Sequence, residues 1–337
     1  MIFEPSSEIL MQRQRYYRQP LPRRWSDDFR ENLYAASSLI SWNSSNFCVY
    51  GTGPAESCPE IPEGILLNGQ TCTNWYHWLI NLLPKAFIVE QYLDVDVRVP
   101  YLVSKSIQGT RMEEALRLVV GNERKVLFLE DRPHKVARGF LIETPVREIY
   151  RPKNILSKFR WSNLGSFHFE IMAQYRSHII GQCLENKPEG QPEVRQRVFL
   201  ARDNLSRPAN QDEVGNVLEG MGFETLHLDL LPFKEQVSTL NQAKFVISTT
   251  GAQWAGWLFS QDAIGLILVP AFLTRSSLFS KLGFIGSSEL LELTFKTTTS
   301  SWAEFYTSRV PADLPALEVR DFVAKVVQSA GFPRQGQ

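Results

Sequence analysis

The chain has 337 residues and no apolar run close to the roughly 20 needed to cross a bilayer, so no membrane-spanning helix is expected. Neither sign of charge is in excess. Lys plus Arg and Asp plus Glu number 36 each, whereas a nucleic-acid binder usually carries a basic surplus. That balance is still compatible with a local basic pocket for a phosphate-bearing ligand. Cysteine is sparse: Cys48, Cys58, Cys72 and Cys183 form no C-x-x-C pair. Neither a zinc site nor a disulfide scaffold is expected, and reduced thiols suit a cytosol. Internal repeats and low-complexity tracts are also missing. The first 25 residues have scattered charges and no continuous apolar stretch, unlike a signal peptide. Without such a signal the N-x-S sequons at Asn43 and Asn204 carry no weight. The same segment is basic and aromatic, with Arg13, Arg15, Tyr16, Tyr17, Arg18, Arg23, Arg24 and Trp25. It reads as a solvated arm packed across a domain, and a membrane-surface contact stays open.

What is present is the composition of an ordinary globular protein, 43% hydrophobic and 21% charged, in a chain long enough for two domains. Short runs rich in β-branched and aromatic residues alternate with helical periods. In the first half the expected strands are 47–50, 65–67, 101–103, 125–129 and 139–142, with helices over 75–91 and 111–120. In the second half strands 197–201, 224–228, 245–248 and 265–269 are separated by helices over 211–221, 233–242 and 253–260. Strand-helix alternation with short loops predicts α/β architecture, with parallel sheets covered on both faces. A long helical pattern over 163–184 is followed by a polar stretch over 185–193, rich in Pro, Gly and charge. The boundary falls in one or the other. The expected division is a domain over 1–170, a second over 171–315, and a final helix within 316–337 that is free to cross back to the first.

Three segments carry residues suited to chemistry. At Ser248-Thr249-Thr250-Gly251-Ala252 an apolar strand ends in small polar residues and a glycine before a helix begins. Such an edge offers unpaired N–H groups and a helix dipole to a diphosphate. The competing reading is an ordinary β-α turn. Arg202 ends the strand over 198–201 and Arg207 follows five residues later. An arginine fork matches phosphate oxygens, and a surface charge is the alternative. Asn210 with Glu213 reads first as a helix capping box. In the aromatic run beginning at Asn74, helical spacing puts Asn74, His77 and Asn81 on one face at i, i+3 and i+7. A packed, hydrogen-bonded core histidine is the plain reading of His77. Two amides on its face make a general base the sharper one. Gly51-Thr52-Gly53 reads as a turn, since Glu56 takes the third glycine position of a dinucleotide fingerprint. Asp94-Val95-Asp96 mimics a D-x-D metal motif but follows a helix rather than an apolar strand. Ser248 has no G-x-S-x-G elbow.

Taken together, these segments resemble glycosyltransferase family 61. Asn74-Trp75-Tyr76-His77-Trp78 with Leu83-Pro84-Lys85 is similar to the family's N-Y-Y-H-W run and L-P-R. Arg202, Arg207, Asn210 and Gln211 match its two arginines and N-E, with glutamine for glutamate. Phe233-Lys234-Glu235-Gln236 resembles F-x-E-Q, and the segment from Thr250 to Phe259 resembles H-G-A-G-L-A-N-x-x-F. Thr250 replaces the usual histidine, Gly256 the usual asparagine, and Asn81 a frequent acidic residue. The likeness covers about residues 65 to 285.

The resemblance implies a GT-B architecture, two Rossmann-like domains facing across a cleft. It implies inverting, metal-independent transfer from a nucleotide sugar, with a UDP-linked donor as substrate and no cofactor. The acceptor would be a glycan or lipid-linked glycan of a bacterial surface polysaccharide or capsule, and the setting the cytoplasm, with a peripheral contact at the inner membrane face left open. The donor side would comprise Arg202, Arg207, Asn210, Thr249, Thr250, Gly251 and Ala252. The acceptor side would comprise Asn74, Trp78 and Asn81. His77 is the expected base, with Glu235 next. The missing histidine and asparagine favour a catalytically silent glycan-binding or scaffold protein as the alternative, and a nucleotide-sugar epimerase is a third.

Overall fold

In the computed structural model the described residues are 2–3, 41–42, 47–48, 59–67, 72–130, 134–148, 165–184, 196–202, 210–271, 277–296 and 313–330. Two compact units are present, residues 1–175 and 176–337.

The first unit contains β1 (Ile2–Phe3), β2 (Ser41–Trp42), β3 (Phe47–Cys48) and β4 (Glu60–Leu66). Helix α1 then runs as Trp75–His77, a π-helical stretch Trp78–Leu82, and Leu83–Tyr92. There follow β5 (Tyr101–Ser104), α2 (Arg111–Val120), β6 (Val126–Leu129), β7 (Lys135–Phe140), β8 (Val146–Glu148) and β9 (Gly165–Phe167). The main sheet has the order β1-β7-β4-β5-β6. Strands β4 to β7 are parallel, and β1 joins β7 antiparallel. Helix α2 forms where its sequence predicts. Thr110 accepts the N–H of Met112 at 3.2 Å, Glu113 and Glu114 sit in the first turn, and Gly121 ends the helix at φ 66°.

Pro84 explains the π-helical stretch. A proline inside a helix gives no N–H, and its ring collides with the carbonyl four residues back. Just before it, α1 widens so that Leu83 N bonds Trp78 O, five residues away. A second polar feature ties down the loop after α1. Arg124, 4% exposed, donates to Glu90 Oε1 (2.8 Å) and to the carbonyls of Asp96 (2.6 Å), Val99 (3.0 Å) and Val95 (2.9 Å).

Helix α3 (Phe169–Leu184) spans the division between the units. The helical pattern expected from 163 starts later, because residues 165–167 pair antiparallel with β8.

The second unit contains β10 (Arg197–Leu200), α4 (Gln211–Glu219), β11 (Glu224–Leu226), α5 (Phe233–Gln242), β12 (Phe245–Thr249), a 3₁₀ helix (Ala252–Phe259), β13 (Ile264–Pro270), α6 (Ser277–Ile285), β14 (Glu289–Phe295) and α7 (Ala316–Ser329). All five strands are parallel, in the order β11-β10-β12-β13-β14. Successive strand residues point to opposite faces, and both faces are buried. Phe199, Phe245, Ile247, Leu266 and Leu268 lie under α4 and α7. Val198, Leu200, Val246, Ile267 and Val269 lie under Leu240, Trp254 and Trp257. The sequence leaves α7 free to return to the first domain. Its buried residues Ala316, Val319 and Val323 join the second unit's core.

The segment 253–260, expected as a helix after Gly251, is a 3₁₀ helix over Ala252–Phe259. Its residues from Trp254 onward are buried, so there is no amphipathic face to favour the wider α spacing. At three residues per turn Trp254 and Trp257 stack in line, their rings 5.5 Å apart and near-perpendicular at 77°.

Phe199 is fully buried on a central strand. Phe199→Ala should lower stability by about 3–5 kcal/mol in urea unfolding. A loss under about 1 kcal/mol would contradict the central position of β10.

Candidate active site

In the second unit, β10 lies between β11 and β12, so the chain order 2-1-3-4-5 reverses direction at the β10–β12 neighbours. In an open parallel sheet, ligands bind outside the carboxyl ends of the strands flanking such a reversal. Arg202 follows β10 there, and Thr249, Thr250, Gly251 and Ala252 close β12.

The geometry brings these residues together. Arg202 Nη1 donates to Thr250 O at 3.1 Å. A Cβ on residue 251 would stand 2.2 Å from Arg202 Nη1 and 2.9 Å from its Cζ, so the guanidinium occupies the space that a side chain would need. A side chain at 251 would push the guanidinium away from Thr250 O. Thr250 N donates to Leu268 O at 2.9 Å, and Trp254 Nε1 donates to Thr249 O at 3.0 Å. The first 3₁₀ bond runs from Trp254 N to Gly251 O at 3.1 Å. Ahead of it, the N–H groups of Gly251, Ala252 and Gln253 have no acceptor among the described residues. One guanidinium and three backbone N–H groups without a described acceptor thus lie at the same strand edge.

The neighbouring polar residues act as holders. Gln211, 3% exposed, accepts Arg202 N on Oε1 (2.8 Å) and donates from Nε2 to Arg202 O (3.1 Å). Asn210 stands at the N-cap position of α4, but its side chain makes no cap hydrogen bond. Its Oδ1 accepts Leu314 N (2.6 Å), and its Nδ2 donates to Leu314 O (3.0 Å) and to Glu213 (2.7 Å). The expected capping box is replaced by a clamp on the segment leading into α7. Arg207 lies outside the described residues, as does the Gly51-Thr52-Gly53 turn.

Around Glu235, Phe233 is buried against Phe259, and buried Gln236 donates to Leu231 O at 2.9 Å. Glu235 is half-buried in the first turn of α5.

In the first unit, β4 and β7 are neighbours that do not follow one another in the chain. Helix α1 comes after β4, and residues 141–146 come after β7. His77 and Asn81 join these two segments. His77 Nδ1 lies 2.8 Å from Asn81 Oδ1, and Asn81 Nδ2 donates to Val146 O at 3.1 Å. Because the Asn81 amide spends its donor on Val146, its oxygen faces the imidazole. Nδ1 is therefore the donor in that bond. Asn74 instead caps the helix, accepting Tyr76 N (3.0 Å) and His77 N (3.4 Å). Trp78 is fully buried and donates from Nε1 to Met112 O at 3.0 Å, so it faces α2 and the core.

The expected i, i+3, i+7 face is thus not the one formed. From Trp75 to Val89 every residue is buried except His77, Asn81, Lys85 and Ile88. This is one narrow stripe along an otherwise enclosed helix. Sequence reasoning named Lys85 only as the last residue of Leu-Pro-Lys. Its spacing of four from Asn81 and eight from His77 is the signal that places it on the stripe.

The D-x-D mimic is engaged elsewhere. Asp96 accepts Arg98 Nε at 3.0 Å on each oxygen, and that hydrogen bonding holds its pKa down at about 2. Among the described residues no group of three or more His, Cys, Asp or Glu is arranged to hold a metal, and no helix is long and apolar enough to cross a membrane.

The model of the Glycosyltransferase 61 family matches residues 75–267, more than half of the chain and including both strand edges. The protein is a glycosyltransferase. It belongs to glycosyltransferase family 61. No curated protein matches the chain.

Gln211 offers a test of the Arg202 clamp. Gln211→Met keeps the length and loses both bonds, which should cost about 1–3 kcal/mol. Gln211→Glu should melt lower still, because a carboxylate would face Arg202 O with nothing to donate. Equal melting of the glutamate variant and wild type would contradict the clamp.

Proposed function

We propose that this glycosyltransferase transfers a sugar from a UDP-linked donor to a glycan acceptor, with inversion and without a metal, in surface polysaccharide synthesis in a bacterial cytoplasm. The observation that carries the donor side is the placing of Arg202 beside the N–H groups of Gly251, Ala252 and Gln253, which have no acceptor among the described residues, at the β10–β12 reversal. When the bond from the sugar's anomeric carbon to the diphosphate breaks, the electron pair stays on the leaving phosphate oxygen. Donors already aimed at that oxygen lower the barrier, since they need not reorganise as charge develops. Arg207 is the second cation of this donor side. A GT-B cleft between the two units is part of the proposal.

The acceptor side is the stripe on α1. His77 Nε2 takes the proton from an acceptor hydroxyl while its oxygen attacks the anomeric carbon opposite the leaving diphosphate. One in-line displacement inverts the configuration. Asn81 fixes the ring's orientation and tautomer, as a hydrogen-bonded partner does for a general base. Glu235 is the second choice for the base. The nearby carboxylates support metal independence only in that Asp96 is bound to Arg98.

Arg202→Ala should weaken UDP binding by roughly 1.5–3 kcal/mol, the value of a charge-assisted contact, with the fold retained. Calorimetry showing unchanged affinity in a folded variant would remove Arg202 from the site. His77→Ala should lower kcat by roughly 10²- to 10⁴-fold, with near-native melting and nearly unchanged donor affinity. A stable variant that keeps most of its turnover would rule out His77 as base. Activity should survive EDTA; complete loss restored by manganese would overturn the metal-free mechanism.

A further inference from the structure

The α1 stripe carries a third polar group that the proposed chemistry does not use. Lys85 is half-buried, one turn beyond Asn81 and two beyond His77. The residues packed around it on the helix, Leu82, Leu83, Ala86 and Val89, are all buried. The other half-buried or buried Lys and Arg side chains among this unit's described residues are engaged, Arg111 over the Trp75 ring at 4.7 Å. Arg124 has Glu90 and three carbonyls, and Arg117 has Glu113 at 3.6 Å. Lys85 has no hydrogen bond and no ion pair with any described residue. Desolvation of its ammonium lowers its pKa from the ordinary lysine value. A cation withdrawn from water without a counter-charge is costly, and an incoming anion removes that cost.

The direction of the side chain adds to this. Cα–Cβ bonds on a helix tilt toward its N-terminus, so the Lys85 chain leans back toward Asn81 and His77. Eight residues of helix put the two Cα atoms about 12 Å apart along the axis.

We propose that Lys85 is an anion subsite on the acceptor side, binding a carboxylate or phosphate carried by the acceptor whose hydroxyl His77 deprotonates. The acceptor is therefore an anionic glycan or one attached through a phosphate. This rests on the reading of His77 as the acceptor-side base. The anion-binding part can be tested without turnover. Lysine acylation by acetic anhydride, followed by peptide mass spectrometry on the full chain, reads Lys85 directly, with the exposed Lys325 as internal reference.

Glucuronate or inorganic phosphate should slow acylation of Lys85 several-fold relative to Lys325, and glucose at the same concentration and ionic strength should not. Protection by glucuronate assigns a sugar carboxylate, and protection by phosphate alone assigns a phosphate linkage. Equal rates with and without both anions would overturn the proposal. Protection by UDP but by neither probe would move Lys85 to the donor and overturn it as well. In His77→Ala the protection should persist. Persistent protection together with full turnover in that variant would remove His77 as base while leaving the anion subsite standing. Lys85→Arg should keep the acceptor KM near wild type, and Lys85→Met should raise it at least tenfold with kcat little changed. An unchanged KM in a Lys85→Met variant that melts like wild type would overturn the acceptor assignment.

Discussion

A polar group taken out of water must find a partner, and this requirement decides where chemistry can occur in both units. The second unit's sheet is sealed on each face, by Phe199, Phe245 and Leu266 on one side and Val198, Val246 and Ile267 on the other. Nothing polar can be left unpaired between those layers without a cost of the order of 1–3 kcal/mol. Buried Thr225 Oγ1 and Trp257 Nε1 bear that cost, having no hydrogen-bond partner, and the polar groups placed to meet a ligand lie at strand ends, where the layers stop. Arg202 and the N–H groups after Gly251 are at such an end. In the first unit α1 is enclosed except for one stripe, and His77, Asn81 and Lys85 are its polar members.

The same requirement separates motif residues that hold from those that remain available. Asn74, Asn210, Gln211 and Gln236 each spend their side-chain amide on backbone groups, and Trp78 spends its indole N–H. Asn210 and Gln211, with both ends of the amide committed, have little left for a ligand. Gln211 shows how specific such holding is. An amide matches an N–H and a C=O on one residue, which neither a carboxylate nor a hydroxyl of similar reach can do. What it holds is the backbone of Arg202, whose guanidinium then fills the space above Gly251.

Much of the fold was legible in the sequence because local signals agreed with it. Arg111–Val120 and Phe233–Gln242 are read from apolar periodicity, and Thr110 and Gly121 mark the ends of the former. Strands β10 to β13 of the second unit, edge strand β11 among them, are read from short β-branched runs bounded by turn residues. Other elements answer to tertiary demands that periodicity does not carry. Glu289–Phe295 alternates poorly because it is a half-exposed edge strand, held by parallel pairing with β13. Helix α6 includes Gly283, a poor helix former, where a Cβ would stand 2.2 Å from the Trp257 indole nitrogen. The candidate site was legible in Arg202, Gly251 and His77, whose residue types fit the expected chemistry. The stripe was not, because Asn74, which shares a helical face with His77 and Asn81 by spacing, is spent on the cap, and apolar periodicity says nothing of Lys85.

The family departures take on a different meaning in this packing. Gly256 stands where relatives of this sequence pattern carry asparagine, yet the position is buried, and a Cβ there would meet Leu240 Cδ1 at 2.4 Å. An asparagine would need both Leu240 to withdraw and a partner for each end of its amide. Nothing polar is supplied there, since Trp254, Ala255, Trp257 and Leu258 are its neighbours in the 3₁₀ helix. Glycine at 256 and leucine at 240 thus form a matched pair that gives the 3₁₀ helix its close seat on α5. Thr250, in the place of histidine, meets Arg202 through its backbone carbonyl, an interaction that any residue at that position can make. Neither substitution removes the guanidinium, the backbone N–H groups or the imidazole on which the proposed transfer depends.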